Sequence, residues 1–264
     1  MAQSVTAPSP DPAQVRYEIS EVGLDRPWHW LASGWSDLRA APRVSLGYGL
    51  AFAVVGFALT ALLYASGVFF LVLPLAAGFM LIAPIMAVGL YEVSRRLGEG
   101  EAVGMATPPQ AWRRNFGQIA LLGLVLMLFL LVWVRIATLI FAIFFPQAPL
   151  ELGPFIATVF FSWTSIPFLL VGGGAGAALA ALVFAIAAIS APMLLDRDVS
   201  VITAIACSIS AVRRNWKPMI VWAVLIALFT AAGLATFYLG LAITLPLIGH
   251  ASWHAYRDLV TQKS

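Results

Sequence analysis

The sequence predicts an all-α protein that crosses a membrane several times. Of its 264 residues, 61% are hydrophobic and only 10% are charged, and its mean hydropathy is +0.93. Soluble domains carry about 25% charged residues. Several uncharged stretches reach the roughly 20 residues that a helix needs to cross the hydrocarbon core, and helices of this length satisfy their own backbone hydrogen bonds in lipid.

The chain begins with a polar, Pro-rich stretch that has no apolar core, which argues against a cleaved secretion signal. Residues 1–24 are therefore predicted to be a disordered tail. Between residues 27 and 42, Trp28, Leu31 and Trp35 recur at helical spacing among polar residues. This pattern predicts an amphipathic helix at the membrane interface.

Six apolar stretches follow, and we interpret them as six spanning helices. They cover about residues 45–65, 68–94, 116–144 and 165–192, and two helices of a tight hairpin within 218–256. The fourth stretch is ambiguous, because residues 155–192 are long enough for one helix with a short surface segment or for two spanning helices.

The distribution of basic residues favours six helices over seven. With six helices, every Lys and Arg except Arg135 lies on one side of the membrane. A seventh helix would move every basic residue after Arg135 to the other side, against the positive-inside rule. We therefore expect both termini in the cytoplasm, and residues 155–165 as a short segment that lies at the opposite, periplasmic interface or is half-inserted there.

An internal repeat divides the chain into three units. Residues 111–116, AWRRNF, match residues 211–216, AVRRNW, and residues 38–42 are a weaker third copy. The second helix of each unit contains a proline, at which we expect a kink. The sequence predicts one transmembrane domain over residues 25–260, followed by a tail at 261–264. The domain consists of three hairpins, each preceded by a cytoplasmic interfacial helix, in units of about 27–95, 99–195 and 199–258.

His250 and His254 are the strongest candidates for chemistry. Their spacing puts both imidazoles on one helix face, as metal chelation requires. Only two ligands are supplied, however, and they lie beside Trp253 and Tyr256, which are typical interface anchors. We expect a structural role, with metal or haem ligation as the alternative, and we predict no cofactor.

Arg135 is the one basic residue inside an apolar stretch. It follows residue 115 by twenty positions, about 30 Å along a helix, so its side chain is expected to reach the opposite headgroups. The alternative is a salt bridge with Glu151 on that side of the membrane.

Two charged groups end predicted helices on the cytoplasmic side. Residues 92–96, EVSRR, have the spacing of a local ion pair. Asp196, Arg197 and Asp198 end the fourth helix, and Asp198 is expected to cap the next one. A gate or a docking site is the alternative interpretation of both groups.

Gly172, Gly173, Gly174 and Gly176 lie within the fourth apolar stretch. Small residues at this spacing allow helices to pack closely in lipid, which is the expected role. The alternative is a broken helix that lines a transport site. No ionisable residue falls clearly at the middle of a predicted span, which weakens an ion-coupled mechanism, and the sequence has no phosphate loop, catalytic triad or dinucleotide fingerprint.

Five motifs occur in order along the chain: GWSDLR at 34–39, SLGYG at 45–49, VGLYEVSRR at 88–96, PMLLDRD at 192–198 and GHASWHAYR at 249–257. Together they resemble the bacterial integral membrane family called domain of unknown function 2189. The resemblance implies an uncharacterised inner-membrane protein, mostly of proteobacteria, without catalytic residues. Some such proteins are labelled cytochrome c oxidase subunit I, but a haem-copper core needs six histidines and this chain has three.

These observations favour a non-enzymatic scaffold, or an accessory or assembly component of a membrane complex. The alternative is a small transporter or channel with a site near a helix break at Gly172–Gly176. An enzyme of lipid chemistry is a third hypothesis, for which only the two histidines offer reactive groups. The expected partners are the lipid bilayer and other inner-membrane proteins or a second copy of the chain. The formal charge of +3 follows from the topology and predicts no nucleic acid.

Overall fold

The computed structural model describes residues 17–146, 157–159, 161–163 and 165–262. Within this part of the chain, five helices are long and apolar enough to cross a membrane. They are Pro42–Ala65, Phe69–Gly98, Phe116–Phe144, Ser165–Asp196 and Trp216–Ala235. The prediction of an all-α membrane protein is therefore confirmed.

The elements follow the chain in three groups. The first group contains β1 (Tyr17–Ile19), α1 (Arg26–Ala40), α2 (Pro42–Ala65), a 3-10 turn (Phe69–Leu71), α3 (Val72–Met86) and α4 (Val88–Gly98). The second contains α5 (Thr107–Gln110), a 3-10 turn (Ala111–Arg113), α6 (Phe116–Phe144), α7 (Ser165–Ala187) and α8 (Ser190–Asp196). The third contains α9 (Val201–Arg214), α10 (Trp216–Ala235), α11 (Leu241–Leu259) and β2 (Val260–Gln262).

The sixth predicted span corresponds to α11. This helix has 19 residues, but it is not among the five apolar ones because its second half carries His250, His254, Arg257 and Asp258. It is instead the most buried long helix, with twelve buried positions. The count of six spans stays a prediction, as does the position of residues 155–165, of which 155, 156, 160 and 164 lie outside the described residues.

Each group has the same short joint between its first helix and its long apolar helix. The joint residues Ala41, Asn115 and Asn215 have similar non-helical backbones, with φ of −126°, −141° and −111° and ψ of 55°, 54° and 37°. Pro42 explains the first joint, since a residue before proline avoids the α region. We call the first helix of each group together with its joint an elbow.

The three elbows pack in a closed ring against the helices that end each group, which we call the returning helices: α4, then α7 with α8, and α11. The α1 elbow packs against α11, α5 packs against α4, and α9 packs against α7 and α8. Each elbow thus contacts the returning helix of the preceding group, and the third group takes that place for the first. Helices α4, α8 and α11 contact one another at the centre. The same kind of elbow contact recurs in each of the three groups, as the predicted repeat implies, although duplication of the units stays a prediction.

Two glycines allow backbones to touch where α1 and α2 pack against α11. A Cβ at Gly34 would lie 2.7 Å from the Ala251 nitrogen, and a Cβ at Gly49 would lie 2.6 Å from the Ala242 carbonyl oxygen. Because both obstacles are backbone atoms, no side chain can move aside to admit a methyl group.

The expectation for the two tails needs correction. The predicted tails are wrong in part, because Tyr17–Ile19 pairs antiparallel with Val260–Gln262 and Tyr17 and Ile19 pack against the core. Helical geometry is interrupted at Ala87, three residues after Pro84, and continues through Pro246. The kinks expected at the prolines stay a prediction.

Replacing Gly49 with alanine is expected to lower the apparent midpoint of thermal unfolding in detergent. The added methyl group overpacks the contact between α2 and α11, at a cost of about 1–3 kcal/mol. Gly117→Ala is the matched control, since a Cβ there meets nothing within 4 Å and alanine favours the helix. Equal midpoints for both variants would contradict this account of the contact.

Candidate functional site

The described residues contain two features that merit the name of a site. The first is a set of polar side chains around the second half of α11, at the end of the bundle that carries the elbows, which we call the polar layer. The second is a large apolar cavity between α3, α6, α7, α10 and α11, which we call the chamber. Of the residues that the sequence singles out, His250, His254, Asp196 and Arg197 belong to the polar layer.

His250 is completely buried in the polar layer. Its Nε2 lies 2.9 Å from the Ser45 hydroxyl on α2, and its Nδ1 lies 2.7 Å from the Ser94 hydroxyl on α4. A neutral imidazole donates through one nitrogen and accepts through the other, so the two serines satisfy both. His250 therefore links three helices.

His254 has a different partner. Its Nε2 lies 2.8 Å from the Asp37 carboxylate on α1, and its side chain is partly exposed. The two histidines share a helix face, but each is committed to another helix. No group of three His, Cys, Asp or Glu side chains within the described residues is arranged to hold a metal ion. The geometry favours the structural role for both.

Asp258 fixes the start of α1 to the end of α11. The Arg26 guanidinium donates two hydrogen bonds to its carboxylate, both at 2.8 Å, and the buried Trp30 indole donates a third at 2.9 Å. The hydrogen bonds that the Asp258 carboxylate accepts from Arg26 raise the pKa of Arg26. In the sequence, the only signal for Asp258 is an acid at the end of a basic, aromatic helix, and no pattern there predicts its role.

The two acids of the Asp196-Arg197-Asp198 segment have different roles. Asp196 accepts hydrogen bonds from the Tyr256 hydroxyl at 2.6 Å and from Arg197 at 2.9 Å, so it ties α8 to α11. Asp198 is exposed, and its predicted capping role is wrong. Ser200 caps α9 instead, accepting a hydrogen bond from the Thr203 backbone, because it is the residue directly before the first helical turn.

Glu92 and its arginines form the predicted local ion pair, which is confirmed. The Glu92 carboxylate, 1% exposed, accepts hydrogen bonds at 2.8 Å from both Arg95 and Arg96. Arg95 also contacts Glu99. Breaking such a buried pair by removing one partner typically costs about 3–5 kcal/mol, so this network stabilises the end of α4.

Asn115 and Asn215 hold neighbouring segments in place. The Asn115 amide donates to the carbonyl oxygens of residues 197 and 199, at 3.4 and 3.3 Å. The Asn215 side chain accepts from the Val22 nitrogen and donates to the Ser20 carbonyl, both at 2.9 Å. The repeated Arg-Arg-Asn sequence was the signal for these residues, but their partners come from other units and could not be read from it.

Arg135 lies on α6 with an exposed side chain. The described residues contain no ion pair for it, and the proposed partner Glu151 lies outside them. The reach of Arg135 to the headgroups stays a prediction. On α9, burial raises the pKa of the Cys207 thiol, which makes it a poor nucleophile at neutral pH.

The chamber has a volume of about 930 Å³ and an apolar lining. Gly172, Gly173 and Gly176 line it, whereas Gly174 does not. The alternative of a helix break at these glycines is wrong, because α7 is continuous from Ser165 to Ala187. In lipid, a helix satisfies its backbone hydrogen bonds internally, and this outweighs the flexibility of glycine. At Gly176, the lack of a side chain admits the Trp133 ring.

Removing the Asp258 carboxylate with Asp258→Ala is expected to destabilise the protein by about 1–3 kcal/mol, because the buried Trp30 N–H loses its acceptor. Asp25→Ala is the matched control, since the Asp25–His29 pair is exposed and its loss should change stability by less than about 0.5 kcal/mol. Chemical unfolding in mixed micelles measures both. Equal effects would show that the Asp258 contacts do not fasten α1.

Comparison with known proteins identifies one family. A family model described as a predicted integral membrane protein (DUF2189) matches residues 72–196. The match confirms the resemblance that the motifs indicated, over a narrower range than the motifs cover. No curated protein and no solved structure matches the chain.

Proposed function

We propose that this integral membrane protein, whose residues 72–196 match the DUF2189 family, is a non-enzymatic accessory or assembly component of a membrane complex. The polar layer is the observation that supports this role. Its charged and titratable groups bond to one another across helices, and His250, Asp196 and Asp258 each join α11 to a different helix. These bonds hold the helices, and the protein surface that the helices form, in one arrangement.

The exposed side of the α1 elbow is the surface that we assign to the partner. Trp28 and Trp35 are 58% and 46% exposed, while Trp30 on the same helix is buried against Trp222. Large rigid aromatic side chains are enriched at protein interfaces and at membrane interfaces. Because Asp258 and His254 fix α1, its exposed side is presented in one orientation.

Extraction in mild detergent is expected to yield a complex larger than the 28.3 kDa chain on native electrophoresis. The double variant Trp28→Ser and Trp35→Ser should lose most of the copurifying material. Trp163→Ser is the matched control, because Trp163 is also highly exposed but lies outside the elbows. A wild-type protein that remains strictly monomeric at every detergent concentration would contradict the proposal.

The proposed location is the bacterial inner membrane, with both termini and all three elbows in the cytoplasm. The contacts of the elbows gather the basic residues at one end of the bundle, and the positive-inside rule places that end in the cytoplasm. Alkaline phosphatase fused after Asp198 or after residue 262 should be inactive, and green fluorescent protein at the same sites should fluoresce. An active phosphatase after residue 262 would contradict the six-helix topology.

A carrier of apolar molecules is the second candidate function. The chamber that reaches Gly172, Gly173 and Gly176 favours it, and the apolar lining argues against an ion or sugar pathway, which needs polar groups along its length. Uptake of a polar solute into vesicles containing the purified protein would contradict this second candidate.

A further inference from the structure

The chamber is a wedge that opens towards the bilayer. Helices α7 and α10 both line it without packing closely against each other. Four lining side chains on α3, α7 and α10 are about half exposed: Leu73, Leu169, Ile220 and Val224. All three helices belong to candidate membrane spans, so the molecules that meet this opening are lipid chains.

Two hydroxyl groups in the chamber have no hydrogen-bond partner among the described residues. Tyr91 on α4 is 2% exposed and Thr230 on α10 is 8% exposed, and both line the cavity. Neither hydroxyl makes a hydrogen bond to any described residue. Protein atoms fully enclose the Thr244 hydroxyl, but they do not fully enclose these two. In an apolar surrounding, an unpaired hydroxyl is unfavourable, and a ligand with an acceptor would satisfy it.

We propose that the chamber binds an acyl chain of a membrane lipid, with the lipid's ester carbonyl oxygen accepting a hydrogen bond from the Tyr91 hydroxyl. Tyr91 lies seven residues before the end of α4, about 10 Å inside the elbow end of the bundle. An ester carbonyl, which joins the headgroup to its chain, can reach this depth. The chain then runs towards Phe70 and Phe168 at the far end of the chamber.

The Tyr91 hydroxyl in the chamber lining favours a lipid chain over the helix of a partner protein. A membrane helix satisfies its own backbone carbonyls, so it offers no regular acceptor to Tyr91, whereas every ester-linked lipid carries one. The inference concerns the chamber alone and goes beyond the accessory role proposed above, which rests on the polar layer and on the exposed side of the α1 elbow. Either can fail without the other.

Two adjacent glycines provide a matched pair of variants. A Cβ added at Gly173 or Gly174 meets nothing within 4 Å, so neither Gly173→Phe nor Gly174→Phe should disturb the fold. Only Gly173 lines the chamber. The Gly173→Phe side chain should therefore compete with the lipid chain, while Gly174→Phe should not. Tyr91→Phe removes only the hydroxyl.

The test uses the full chain in vesicles of phosphatidylethanolamine and phosphatidylglycerol that contain a phosphatidylethanolamine with a diazirine at the end of one acyl chain. We expect photolabelling of α7 and α10 residues in the chamber, about tenfold weaker in Gly173→Phe and unchanged in Gly174→Phe. An ether-linked analogue without the carbonyl should compete roughly three- to tenfold less well than the ester lipid for wild-type protein, the factor of one net hydrogen bond. With Tyr91→Phe, the two competitors should be equal.

Several outcomes would overturn the proposal. Labelling spread evenly over all lipid-facing helices and insensitive to Gly173→Phe would mean that the chamber holds no bound chain. Chamber residues cross-linked to another protein would assign the wedge to a partner helix. Equal competition by ester and ether lipids for wild-type protein would overturn the hydrogen bond to Tyr91.

Discussion

The structure depends on the hydrogen bonds and ion pairs that fasten the second half of α11 to the helices around it. His250 contacts α2 and α4, His254 and Asp258 contact α1, and Tyr256 contacts α8. Apolar burial alone does little to order helices within lipid, because lipid tails are as apolar as the side chains. Directional polar contacts at one end of the bundle therefore fix which helices meet and in which register.

The opposite part of the bundle is built differently. There the helices contact one another through aromatic rings and small residues, and the described residues leave the chamber between α7 and α10. A bundle that is fastened at the elbow end and open in its apolar middle can admit a lipid chain without losing its shape. The proposed accessory role and the proposed lipid site thus use different ends of one rigid arrangement.

The predictions from sequence succeeded where a local pattern sufficed. Hydropathy gave α6 with its exact ends, Phe116–Phe144, and i, i+3 and i, i+4 spacing gave the Glu92 ion pair. They failed where the answer lay in distant residues. The sequence left a helix break at Gly172–Gly176 open as an alternative, but helical hydrogen bonding in lipid favours continuity, and the terminal strands pair across more than 240 residues.

The sequence by itself determined the membrane as the solvent, the helical class and the segregation of basic residues, because composition and periodicity depend only on local side-chain chemistry. It also singled out the two histidines and the Arg-Arg-Asn elbows. Only the tertiary structure decided that the histidines face Ser45, Ser94 and Asp37 instead of a shared metal, and that Tyr91 and Thr230 face a common chamber. Those partners lie on other helices, and the packing of helices sets which side chains meet.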